Sequence, residues 1–83
     1  MQKYMVDMVV SGLTQDEIKA IIPAEGAMVR ELTEAGVILA LYVKADFSGA
    51  YVVAQAADPD SLKQELSRLP MYPHMAVTVV PIL

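Results

Sequence analysis

Glu25 is the residue of this sequence with the strongest claim to moving a proton. It lies in IIPAEGAMVREL (Ile21 to Leu32), a stretch with helical periodicity. Stepping about 100° per residue from Ile18 puts Ile22 and Val29 near +40° and +20°, and Ile21 and Leu32 near −60° and −40°. Glu25 falls at about −20°, inside that apolar sector, while Asp16, Lys19, Arg30, Glu31 and Glu34 point the other way. A carboxylate desolvated among Ile, Val and Leu has its pKa raised, which suits proton transfer near neutral pH. The competing expectation is that the Pro23–Gly26 irregularity turns Glu25 outward, or that it snorkels or pairs with a basic group. His74, the only histidine, follows two prolines and opens a strand. At a pocket mouth it would titrate usefully as a second catalytic group; the alternative is a solvated ring at a strand end. Asp7 interrupts an otherwise apolar strand, and Tyr42 and Tyr51 lie in a neighbouring hairpin. Each is a candidate substrate-binding handle in a mostly apolar pocket, or else a core-edge or interface residue.

Other chemistries find little support. A second histidine is missing and no carboxylates cluster at ligand spacing, so no metal site is expected. Cysteine is absent, which removes disulfides, thiolate chemistry and thiolate zinc sites. Neither a Gly-rich phosphate loop nor a nucleophile elbow nor a Ser/His/Asp set can be drawn, so no cofactor is expected. The methionines read as core or interface filler.

Particular elements must hold these residues. YMVDMVV is a buried strand. Thr14 with Glu17 three residues later forms a capping box, starting a helix near Gln15 that ends at Gly36. Pro23 is expected to kink that helix or split it in two, and Gly26 loosens the same turn. VILALYVKA and AYVVAQA are strands joined by DFSG at hairpin length, hence antiparallel. In DPDSLKQELSRL, Asp58 caps a second helix, Pro59 suits its first position, and Leu62, Leu66 and Leu69 form its inner stripe. PMYP breaks the chain before HMAVTVVPIL, a fourth strand. The order βαββαβ is an α+β, ferredoxin-like arrangement with both helices on one sheet face.

The chain of 83 residues suits one domain, 1–83, without repeats or linkers. Hydrophobic residues make up 55% and the mean hydropathy is +0.44. So small a domain leaves much surface in water, and its strands are apolar on both faces; a second copy is expected to cover the face away from the helices. No run approaches the roughly 20 apolar residues of a spanning helix. The net charge of −4, with six scattered basic residues, argues against nucleic acid as a partner. MQKYMVDMVV reads as a strand rather than a signal peptide, so a cytoplasmic location is expected.

LSRLPMYPHMAVTVVPIL resembles the muconolactone isomerase family, which carries a similar Leu-Pro, bulky pair, Pro and strand. The likeness extends through AEGAMVRELTEAG and AYVVAQAADPDSLKQELSRLP, in matching order over nearly the whole chain. It implies a ferredoxin-like subunit paired into a dimeric α+β barrel, often assembled further. It also implies cofactor-free proton-shifting chemistry on a small lactone, and Glu25 falls where that family has a helix glutamate. One departure stands out: the arginine and histidine the family carries through the second strand and following turn are replaced in VILALYVKADFSG by aliphatic residues, Lys44 and Phe47. Without that basic set a carboxylate substrate such as muconolactone is poorly held, and a neutral hydrophobic ligand fits better. Two functions follow as expectations: a cofactor-independent isomerase or cyclase-like enzyme using Glu25, or a non-catalytic ligand-binding or accessory oligomer of the same fold.

Overall fold

The computed structural model describes residues 1–83. The elements run β1 (Gln2–Val10), α1 (Gln15–Glu34), β2 (Ile38–Val43), β3 (Gly49–Ala56), α2 (Pro59–Leu66), a 3-10 turn (Tyr72–His74) and β4 (Met75–Ile82). They build one four-stranded sheet in the order β2-β3-β1-β4, with every neighbouring pair antiparallel. This is the α+β, ferredoxin-like arrangement expected from the element order.

The helix ends form as their capping residues dictate. Thr14 accepts from the Glu17 amide at 3.2 Å, and Glu17 accepts in turn from the Thr14 amide at 3.0 Å. The chain leaves α1 through Ala35 and then Gly36, whose φ of +80° suits a residue without a Cβ. Asp58 accepts from the Ser61 amide at 2.7 Å and Pro59 opens α2.

Pro23 does not divide α1. The helix runs unbroken for 20 residues, so of the two outcomes expected at Pro23, a kink or a split, the split does not occur. Proline removes one donor, that which would reach the Lys19 carbonyl; Lys19 and Pro23 are both exposed, so water can replace the lost bond. A second correction concerns His74, which sits in the 3-10 turn ahead of β4 rather than opening the strand.

Both helices cover one sheet face. Tyr4, Val6 and Met8 of β1 and Val52, Ala54 and Ala56 of β3 point into the core, where they meet Leu32 of α1 and Leu62, Leu66 and Leu69 at α2. Met5, Asp7 and Val9 alternate onto the opposite face. No second layer covers that face within the subunit, and Tyr42, Tyr51 and Val80 remain 65%, 45% and 50% exposed there. The start of β3 approaches β1 so closely that a Cβ at Gly49 would collide with the Met8 carbonyl. No helix is long and apolar enough to cross a membrane.

Candidate functional site

A cavity of about 390 Å³ opens between the Ile18–Val29 stretch of α1 and the sheet. Its roof is Ile18, Ile22, Glu25, Gly26 and Val29; its floor includes Met8 and Val10 of β1, Leu41 and Val43 of β2, and Gly49 and Ala50 at the start of β3. Met71 and Met75 close one side, and Phe47 of the β2–β3 turn stands at the rim. The hollow has a simple origin. The second half of α1 drives Leu32 into the core, while farther up Gly26 on the helix and Gly49 and Ala50 beneath it supply almost no side-chain volume.

Glu25 is the only ionisable residue lining this cavity. Its Oε1 accepts a hydrogen bond from the Met71 amide at 2.9 Å, tying α1 to the LPMYP segment after α2. The second oxygen has no protein partner, and no buried side-chain oxygen of the subunit lacks one, so Oε2 is open. Burial raises the Glu25 pKa above its ordinary value, and the Met71 amide offsets part of that rise by stabilising the carboxylate. One oxygen is anchored and the other free, on a carboxyl whose pKa burial raises. That is the arrangement a proton-transfer group needs.

The remaining expected site residues lie elsewhere. Asp7, Tyr42 and Tyr51 sit on the outer face of the sheet, so the subunit does not gather them into a pocket with Glu25. The strand period of two explains the separation: Met8, Leu41 and Ala50 face the cavity, and their neighbours Asp7, Tyr42 and Tyr51 must face away. Those three form a group of their own. Tyr42 and Tyr51 are cross-strand partners, and the Lys44 ammonium pairs with Asp7 Oδ1 at 2.7 Å while lying 4.7 Å from the Tyr51 ring centroid. The hydrogen bond to Asp7 raises the Lys44 pKa above its usual value. His74 does not line the cavity; its side chain is exposed, its amide donates to Met71 O at 2.8 Å and its carbonyl accepts from the Ser11 amide at 3.0 Å.

Of two further contributors, Met71 and Phe47, the first escapes a reading of the sequence by side-chain pattern. Met71 acts through a backbone N–H, which no such pattern announces. Phe47 carries a visible signal, since a bulky residue at a turn position that prefers Gly or Asn is unusual.

A family model described as muconolactone delta-isomerase matches residues 2–83. The chain belongs to this family. A crystal structure of muconolactone isomerase superposes on it with a TM-score of 0.81 at 20% identity, covering 96% of this chain and 86% of that one. At that identity the likeness speaks for the fold. A search of curated proteins found no significant match. The cavity of this member of the muconolactone delta-isomerase family is lined by one acid, no Lys, Arg or His, and apolar residues nearly everywhere else. No three His, Asp or Glu side chains gather where they could hold a metal ion.

Proposed function

We propose that this protein is a cofactor-independent isomerase that shifts a proton on a small, neutral, hydrophobic substrate, with Glu25 carrying the proton. The observation that carries the reading is the single partly desolvated carboxyl, held through Oε1 by the Met71 amide, in a cavity otherwise apolar. A β,γ-unsaturated carbonyl compound, such as a β,γ-unsaturated lactone or ketone, is the matching substrate class. Glu25 Oε2 takes a proton from the carbon beside the carbonyl and leaves a delocalised anion. Returning that proton at the far end of the conjugated system moves the double bond and restores the carboxylate. A substrate other than muconolactone follows from charge: a cavity with one acid and no cation repels a carboxylate.

The open sheet face belongs to the same reading. Its tyrosines and valines are covered by a second copy, sheet against sheet, giving a dimeric α+β barrel in which Asp7, Tyr42 and Tyr51 serve the interface.

A second reading, a ligand-binding or accessory oligomer without catalysis, draws on one specific fact. No second polar side chain lines the cavity to steady a developing anion. Deuterium exchange separates the two. Neutral β,γ-unsaturated lactones and ketones incubated with the protein in D2O are followed by NMR; the enzyme reading predicts label entering with wild type and not with Glu25→Gln. Equal exchange by Glu25→Gln overturns the assignment, and binding without any exchange establishes the second reading.

A further inference from the structure

Phe47 occupies a position that its own chemistry disfavours twice over. Its φ is +59°, the only positive φ outside glycine in the chain, and a bulky side chain in that region is strained. Its side chain is 83% exposed, so the subunit gains almost nothing from burying it. The turn nevertheless holds it firmly. The Phe47 amide donates to Lys44 O at 2.9 Å, and Asp46 Oδ1 accepts from both the amide and the hydroxyl of Ser48, at 3.0 and 2.7 Å. Glycine or asparagine would satisfy the same turn with less strain.

The ring's location supplies the missing benefit. Phe47 stands at the rim of the Glu25 cavity, and two other exposed apolar side chains, Ile22 at 52% and Val43 at 60%, line the same cavity. They come from a helix, a strand and a turn, and no charged side chain lies among them. All three are therefore open to a ligand that enters the cavity.

We propose that Phe47 is the specificity-determining wall of this cavity, selecting flat, uncharged, apolar ligands by contact with the face of its ring. The proposal rests on the reading of the cavity as a binding site but not on the proton transfer. Selection for flat ligands follows from offset stacking on an aromatic face, and selection for uncharged ones from an apolar rim above a lone acid.

The test is a fluorescence titration of the full chain with N-phenyl-1-naphthylamine, a neutral aromatic probe, and with its anionic relative 1-anilinonaphthalene-8-sulfonate. Wild type and Phe47→Tyr are expected to bind the neutral probe, and both to bind the sulfonate more weakly. Phe47→Gly and Phe47→Asn should lose about tenfold in affinity, the effect of one lost aromatic contact. Their Tm should stay level or rise, because both residues tolerate the turn backbone. Equal affinity in all four proteins overturns the role of Phe47 and leaves the cavity reading intact. Loss of affinity accompanied by a lower Tm or a changed oligomeric state overturns it in favour of a structural role, and equal binding of the sulfonate overturns the selection for neutral ligands. Failure of wild type to bind the neutral probe removes the cavity reading and this proposal together.

Discussion

Glu25 is more costly to the fold than a neutral residue of the same shape would be. Its folded pKa is raised, so the folded state binds more protons than the unfolded state between the unfolded and folded values. Stability therefore falls as pH rises through that window, and the penalty is complete above the folded pKa. Glu25→Gln keeps an acceptor for the Met71 amide and has nothing to ionise. Denaturant unfolding at neutral pH should show this variant as stable as wild type or more so; a clear loss would mark Glu25 as a structural partner. Gly26, its neighbour on the cavity roof, offers a second prediction. A Cβ there meets nothing within 4 Å. Gly26→Ala should raise stability by about 0.5–1 kcal/mol, the usual helix-propensity difference, measured by the same unfolding curves. Glu25 is legible in the sequence because a helical wheel reports side-chain direction directly. The amide that anchors it is not, because Glu25 and Met71 are 46 residues apart and one partner is backbone.

The elements are largely legible because their signals are local. Thr14 and Glu17, Asp58 and Pro59, and the Leu62–Leu66–Leu69 stripe each act within one or two helical turns, and each takes its expected place in the structure. Thr14→Ala should accordingly destabilise the protein by about 1 kcal/mol, read from the unfolding midpoint, since it opens the capping box of the helix that roofs the cavity. Pro23 misleads for an equally local reason. The rule that proline breaks helices assumes the lost bond goes unreplaced, and at an exposed turn water can replace it. Pro23→Ala should keep the helix content seen by circular dichroism and leave the cavity intact. The strands carry a subtler signal. Their period of two implies that Asp7 and Met8, or Tyr42 and Leu41, cannot share a pocket; which of each pair meets the helices depends on register, and register is a property of the assembled sheet.

At the scale of the whole molecule, the two faces of the sheet divide the work. The helix face builds the core and the cavity, and the outer face carries the Lys44–Asp7–Tyr51 group together with exposed Tyr42 and Val80. A chain of 9.0 kDa with that much apolar surface in water is expected to associate. Light scattering at micromolar concentration should return a dimer or larger, with an interface well above about 1,000 Å². Val80→Lys, placing a charge on the open face, should shift the mass toward the monomer, whereas Phe47→Gly should not. A wild-type monomer would refute the association. The 55% hydrophobic content points to association by itself, but composition cannot say which face is left uncovered.

Whether Glu25 carries a proton from its apolar cavity is decided by titrating Glu25 itself. The measurement is the 13C shift of the Glu25 side-chain carboxyl against pH, assigned with Glu25→Gln, in the free protein and in protein saturated with N-phenyl-1-naphthylamine. In the free protein the midpoint should lie above the ordinary glutamate value. The midpoint should rise further when the probe expels water from around Oε2, because burial is what raises it. An ordinary midpoint that the bound probe leaves unchanged would contradict a proton-carrying role for Glu25.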